Sequence, residues 1–251
     1  MVTTGFPLSK RLKNIEHDDR PRNPPCEFGR KSPLMWALRY KIALGLASAI
    51  LYLHEEGEQC IVHRDIKSSN VMLDSNFKAK LGYLGLARLM DHGLGLQSTG
   101  LAGTLGYLAP EYINTGKAGK ESDVFSFGVV ALEIACGRKS IDHMEEVDAG
   151  LVEWVWDLYG RNATLAAIDS KLNLEFDANQ AECLMIVGLW CAHPDRTFRP
   201  SIRQAIQVLN MESSIPTLPT KMPVPSYHVP ELDLISSETT SIISTSIDMV
   251  Q

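Results

Sequence analysis

The chain has 251 residues, of which 45% are hydrophobic and 22% are charged, a composition typical of one globular domain with tails. Its formal net charge of −6 and isoelectric point near 5.7 exclude a protein that binds nucleic acid or anionic membranes through nonspecific positive charge.

Five cysteines, an odd number without a close C-x-x-C pair, predict neither a disulfide framework nor a zinc site and favour a reducing compartment. The N-terminus lacks a basic region followed by an apolar stretch, so no signal peptide is predicted. The most apolar runs, 42–53 and 124–136, are shorter than the ~20 residues of a membrane span. We therefore expect a cytoplasmic chain with no membrane span and no tightly bound metal.

Residues 1–33 are rich in proline and charge and predict an irregular segment. Directly after them, apolar residues recur at three- and four-residue spacing and predict a helix; they are Leu38, Ile42, Leu46, Ile50 and Leu53. Ile61-Val62 predicts a short strand. The turn sequence Asp74-Ser75-Asn76, flanked by 71–73 and 79–81, predicts a small hairpin.

Residues 83–111 contain six glycines and little periodicity, which is typical of a long functional loop. The next helix runs to Gly137 and is apolar nearly all round, so we expect it to be buried. Further helices are predicted at 151–159, 180–192 and 201–209. Proline, serine and threonine then predict a disordered tail. The expected segments are 1–33 irregular, 34–210 folded and 211–251 disordered.

Six short motifs follow one another in a fixed order. They are His63-Arg64-Asp65-Ile66-Lys67-Ser68-Ser69-Asn70, Gly82-Tyr83-Leu84-Gly85, Gly103-Thr104-Leu105-Gly106-Tyr107, Ala109-Pro110-Glu111, Asp123-Val124-Phe125-Ser126-Phe127-Gly128 and Arg199-Pro200. This series resembles the larger, C-terminal lobe of eukaryotic protein kinases. The amino-acid sequence of 36–63, 67–70 and 188–194 is most similar to that of the plant L-type lectin-domain receptor-like Ser/Thr kinases. The resemblance covers roughly residues 29–210.

The resemblance implies a protein-kinase-like fold, a mainly α-helical C-terminal lobe with a small β-hairpin. Only about 28 residues precede the similar segment, and none reads Gly-x-Gly-x-x-Gly or Val-Ala-Ile-Lys. We therefore expect the small, β-rich N-terminal lobe to be essentially absent, and the chain to be truncated. Intact relatives of this family carry a lectin domain and a membrane span, lie at the plasma membrane with a cytoplasmic kinase domain, and use ATP and magnesium.

The catalytic roles are carried over from the resemblance. Asp65 would accept the proton of a substrate hydroxyl, Lys67 would contact the transferring phosphate, and Asn70 would hold a magnesium ion. Arg64 would pair with a phosphorylated residue of the activation segment, whose candidate acceptors are Ser98, Thr99 and Thr104.

The resemblance also implies scaffold roles that do not depend on catalysis. Glu111 and Arg199 would form a buried ion pair that closes the activation segment onto the helical lobe. Asp123 would tie the catalytic-loop backbone to the long central helix, and His63 belongs to the same scaffold.

The chain departs from a working kinase at Tyr83-Leu84, where kinases place Asp-Phe. A neutral phenol offers magnesium one oxygen where a carboxylate is required. With no ATP-binding lysine or Gly-rich loop in residues 1–28, we expect no cofactor and no catalysis by this chain alone. The leading interpretation is a pseudokinase that binds a protein partner through the exposed surface facing the missing small lobe. The alternative is a Ser/Thr kinase that transfers the ATP γ-phosphate to protein hydroxyls, with Asp65 as base.

Overall fold

The computed structural model describes the backbone pairing of residues 6–7 and the structure of residues 34–89, 102–140 and 150–224. Six α-helices lie in these ranges: α1 Trp36–Leu51, α2 Pro110–Thr115, α3 Lys120–Cys136, α4 Leu151–Gly160, α5 Ala178–Cys191 and α6 Ile202–Leu209. The strands are β1 Phe6–Pro7, β2 Ile61–Val62, β3 Val71–Leu73, β4 Ala79–Leu81 and β5 Arg88–Leu89. The prediction of a mainly helical lobe with a small hairpin is confirmed.

Helix α3 is the centre of the core, and nearly every residue from Ser122 to Cys136 is buried. Gly119 caps its N-terminus, where the Gly119 N–H donates to the hydroxyl of Ser122 at 3.2 Å. Gly137 ends the helix in the left-handed region at φ 66°. The nearly uniform hydrophobicity of the sequence is therefore explained by burial on all sides.

Helices α3 and α5 approach each other at two glycines. A Cβ built at Gly128 would lie 2.5 Å from the carbonyl oxygen of Gly188, closer than real Cβ atoms come to any heavy atom. A Cβ at Gly188 would lie 2.8 Å from a methyl of Leu132. The two helices can therefore pack this closely only because glycine, which has no side chain, occupies both positions.

Helix α1 packs its apolar face into the same core, with Ile42, Leu46 and Ile50 fully buried. It continues as a turn of π-helix over Tyr52–Glu56. By length and composition Trp36–Glu56 is the one helix in the described ranges that could cross a membrane. Its burial within the lobe accounts for that hydrophobicity.

Two small antiparallel sheets flank the helices. In the first, β3 pairs with β4, Leu73 opposite Ala79, and β1 pairs with the other edge of β3. In the second, β2 pairs with β5, Ile61 opposite Leu89. The segment between β2 and β3 carries the catalytic-loop motif, and the Gly82–Gly85 motif directly after β4 is hydrogen-bonded to it.

The structure differs from the sequence-based expectation at the C-terminus. We predicted disorder from residue 211, but residues 211–224 are placed, and Leu218 is buried against α4 with only 7% of its surface exposed. The burial of Leu218 and hydrogen bonds between the backbone of this stretch and the side chains of Trp156 and Tyr159 on α4 fix its position, despite its polar, proline-rich composition. The remainder of the predicted tail, 225–251, and most of the predicted irregular segment 1–33 lie outside the described residues.

Candidate functional site

Asp123, in the first turn of α3, binds the backbone of the loop that carries the His63-Arg64-Asp65 motif. Its carboxylate accepts the N–H of His63 at 2.7 Å and that of Arg64 at 2.8 Å. It also accepts a hydrogen bond from Nε2 of His54 at 2.9 Å. All of these groups are buried, so the bonds operate at low local dielectric. His54 follows α1 and belongs to no motif, so its hydrogen bond to Asp123 was not predicted.

The four side chains Asp65, Lys67, Asn70 and Thr104 form one hydrogen-bonded group. Nζ of Lys67 lies 2.9 Å from Oδ2 of Asp65, and the amide of Asn70 donates to the same oxygen at 2.9 Å. The Thr104 hydroxyl donates to Oδ1 of Asp65 at 2.9 Å and accepts from Lys67 at 2.8 Å. The sequence motifs grouped the first three residues. They placed Thr104 among candidate phosphate acceptors, whereas here its hydroxyl joins the carboxylate to the ammonium group.

Arg64 is 6% exposed and holds a left-handed backbone conformation at φ 70°. Its guanidinium donates to the hydroxyl of Tyr112 at 2.6 Å and to the carbonyl of Leu86 at 3.4 Å. It therefore contacts residues on both sides of the Gly103–Tyr107 and Ala109–Glu111 motifs. The other candidate acceptors, Ser98 and Thr99, lie outside the described residues.

His63 and Asn70 hold the backbone that leads into Tyr83. Nε2 of His63 donates to the carbonyl of Gly82 at 3.0 Å, and the Gly82 N–H donates to the carbonyl of Asn70 at 2.9 Å. Tyr83 then adopts φ 62°, ψ 57°, a left-handed conformation that is uncommon for a bulky residue. Its side chain is 71% exposed, and Leu84 beside it is 53% exposed.

The donor set at this position does not fit magnesium. Mg²⁺ prefers carboxylate oxygens in a near-octahedral set, and Tyr83 contributes a neutral phenol. The amide nitrogen of Asn70 is turned toward Asp65, and the carboxylate of Asp65 is taken up by Lys67, Thr104 and Asn70. Within the described ranges no group of three or more His, Cys, Asp or Glu side chains could hold a metal ion.

Arg199 and Glu111 form an ion pair between α2 and the loop before α6. Their guanidinium and carboxylate meet through two parallel bonds of 2.8 Å, and the Arg199 side chain is fully buried. Arg199 also donates to the carbonyls of His193, Pro194 and Glu121. The pair joins α2, at the end of the activation segment, to the loop before α6.

The sequence did not predict a series of hydrogen-bonded polar groups that begins at Tyr107 of the Gly103–Tyr107 motif. The hydroxyl of Tyr107 lies 3.3 Å from that of Ser68 and donates to Oε1 of Glu133 at 2.8 Å. The N–H of Ser140 donates to the same oxygen, while Oε2 of Glu133 is buried without a partner among the described residues. Burial raises the pKa of Glu133 above its ordinary value and, with the nearby Glu133 charge, raises the pKa of Tyr107 to about 12.

A model of the protein kinase domain matches residues 29–209. The chain is 67% identical over 221 residues to the Arabidopsis thaliana L-type lectin-domain containing receptor kinase IX.1, a match that covers 86% of this chain. It is 54% identical over 231 residues to receptor kinase IX.2 of the same plant, covering 88% of the chain. To the rice (Oryza sativa subsp. japonica) L-type lectin-domain containing receptor kinase S.7 it is 47% identical over 190 residues, covering 76%. The matched region spans 33%, 33% and 27% of these relatives, so the chain corresponds to about a third of their length.

Proposed function

Because the chain belongs to the protein kinase domain family, with the L-type lectin-domain receptor kinases as its relatives, we propose that it is a catalytically impaired kinase lobe that acts as a protein-binding module. The observation that carries the proposal is Tyr83. In the sequence it stands where kinases carry the magnesium-binding aspartate, and it has no carboxylate. We expect the lobe to act in the cytoplasm.

The binding role is supported by exposed apolar side chains beside the catalytic loop and β2, where we infer that a small lobe would dock. Tyr83 and Leu84 are more than half exposed, and so are Tyr52 (60%) and Leu89 (62%). Tyr52 and Leu89 line a groove of about 360 Å³ with Leu53 and Ile61. Exposed apolar surface of this kind marks protein interaction sites. The occupant that fits best is a β-rich kinase small lobe.

Thermal unfolding with ATP and magnesium tests the loss of nucleotide binding. A ligand at 100 times its Kd stabilises the folded state by about 2.7 kcal/mol, which raises Tm by roughly 5–11 °C for a domain of this size. We expect no magnesium-dependent rise for this chain. The kinase domain of the Arabidopsis IX.1 relative, measured in parallel, is the positive control. A clear magnesium-dependent rise for this chain would contradict the proposal.

The second candidate is a Ser/Thr kinase that transfers the ATP γ-phosphate to protein hydroxyls. It is favoured by the hydrogen-bonded group of Asp65, Lys67, Thr104 and Asn70, which offers a carboxylate base next to a cationic side chain. In this interpretation Asp65 accepts the proton of a substrate hydroxyl, and Lys67 meets phosphate charge.

One experiment separates the two functions. The chain is titrated with the separately produced small lobe of the IX.1 relative, binding is followed by calorimetry, and transfer of label from γ-labelled ATP to protein is measured in the same mixture. The Asp65→Asn variant is the control. We expect binding without label above the control. Binding with label that the control lacks would favour the kinase, and the absence of binding would refute the docking surface.

A further inference from the structure

Residues 215–220 form a segment without regular secondary structure, here called the strap, that lies across helix α4. Its sequence is Ile215-Pro216-Thr217-Leu218-Pro219-Thr220. Leu218 is 7% exposed and belongs to the hydrophobic core, whereas Thr217, Pro219 and Thr220 face solvent. A single leucine thus inserts into the lobe between two prolines.

Aromatic side chains of α4, rather than another strand, hold the strap backbone. The hydroxyl of Tyr159 accepts the N–H of Leu218 at 2.9 Å and donates to the Leu218 carbonyl at 3.3 Å. The indole N–H of Trp156 donates to the carbonyl of Pro219 at 2.8 Å. Prolines lack an N–H, so an extended Pro-rich segment needs donors from its binding surface. Aromatic grooves that recognise Pro-rich peptides supply donors in this way.

The surface under the strap also requires a glycine. Gly160, the last residue of α4, lies against the carbonyl oxygen of Thr220, and a Cβ at position 160 would overlap that oxygen. At the opposite end of the helix, a Cβ at Gly150 would meet nothing within 4 Å. The first glycine has a steric reason for its place, and the second supplies a matched control.

We propose that the face of α4 formed by Trp156, Tyr159 and Gly160 is a binding site for an extended Pro-x-Leu-Pro segment of a partner protein. The strap, with Pro216-Thr217-Leu218-Pro219, is its intramolecular occupant and holds the site closed. Helix α6 ends at Leu209, a few residues before the strap. This short tether gives the strap an effective concentration of about millimolar, so a partner must displace it. The site is separate from Tyr83, and the proposal does not depend on the proposed pseudokinase function.

The test uses the full chain and a fluorescent peptide with the sequence of residues 213–220. Leu218→Asp removes the inserted leucine and leaves α4 intact, so it opens the site. Gly160→Ala expels the strap and also obstructs the site. Gly150→Ala makes the same chemical change where there is space. Tryptic cleavage after Lys221 reports strap release, and fluorescence anisotropy reports peptide binding.

We expect the native chain and Gly150→Ala to resist cleavage and to bind the peptide weakly. Leu218→Asp and Gly160→Ala are both expected to be cleaved at least tenfold faster. Only Leu218→Asp should bind the peptide at least tenfold more tightly than the native chain does. A peptide carrying Asp in place of its leucine should bind to none of them.

The proposal is overturned if Leu218→Asp releases the strap without gaining peptide affinity, or if Gly160→Ala binds the peptide as well as Leu218→Asp does. Should circular dichroism show that Leu218→Asp does not fold, the native chain decides the question alone. Added peptide must then accelerate cleavage after Lys221 in a concentration-dependent manner, and an unchanged cleavage rate overturns the proposal.

Discussion

Replacing Glu111 with glutamine removes the charge of one partner in the ion pair between α2 and the loop before α6, and leaves the side-chain shape almost unchanged. Arg199 is fully buried, and Glu111 is 13% exposed, so their pairing is shielded from water. The chain offers a matched control in Glu55→Gln. Its ion pair with Arg203 has the same length, 2.8 Å, but the two side chains are 28% and 52% exposed.

The expected effects differ because the environments differ. Removing one partner of a buried pair leaves an uncompensated charge, at a cost of about 3–5 kcal/mol. The glutamine amide would keep one neutral acceptor for Arg199, so we expect the low end, about 3 kcal/mol. The exposed pair is expected to contribute only about 0.2–1 kcal/mol. With a urea m-value of about 2 kcal/mol/M, Glu111→Gln lowers the denaturation midpoint by about 1.5 M and Tm by roughly 6–12 °C.

Equilibrium urea unfolding, followed by circular dichroism at two wavelengths, measures both variants against the native chain. An unchanged m-value assigns the shift in midpoint to stability rather than to a change in the denatured state. Equal midpoints for Glu111→Gln and Glu55→Gln, within about 0.3 M, would refute the reasoning, because burial would then make no difference.

Three further predictions concern backbone, packing and protonation. Leu174 is 86% exposed at φ 65°, so Leu174→Gly should raise stability by about 0.5–1 kcal/mol, measured as an increase in Tm. Gly128→Ala places a methyl group against the backbone of α5 and should lower stability by more than about 3 kcal/mol in urea unfolding, whereas Gly150→Ala should change it by less than about 0.5 kcal/mol. Burial raises the pKa of Glu133 above its ordinary 4.5, so its stabilising effect is present below that value and is lost as the pH rises through the folded-state pKa. Glu133→Gln should therefore gain stability relative to the native chain as the pH rises above 4.5, measured by urea unfolding at each pH.

The sequence predicted the architecture wherever hydrophobic burial decides it. The apolar run at 124–136 and the helical spacing from Leu38 to Leu53 both became buried helices, because each carries enough apolar surface to fix its own position. The same reasoning failed for residues 211–224. Their order comes from one inserted leucine and from donors on α4, which are long-range contacts that composition does not record.

Within the candidate site, the sequence motifs identified the polar residues of the catalytic loop. They missed buried polar residues that form hydrogen bonds around it. Lys67 and Asn70 both lie within hydrogen-bonding distance of Asp65. His54 and Glu133 were missed, because each lies on an element predicted only as part of the core. A polar residue within an apolar helix is the available signal. It shows that a buried partner is needed without showing which one.

The conformation of Tyr83 shows why the geometry of the catalytic loop does not report activity. Four hydrogen bonds fix the path of the chain: His63 to Gly82, Gly82 to Asn70, and the N–H groups of His63 and Arg64 to Asp123. None of them involves position 83. These bonds stabilise the folded lobe whether or not a carboxylate follows Gly82. A tyrosine can therefore occupy the left-handed position at a cost of about 1–2 kcal/mol while the surrounding arrangement persists. Asp65 and its partners thus keep their places for reasons of stability, and the proposed loss of catalysis rests on the chemistry of the single side chain at position 83.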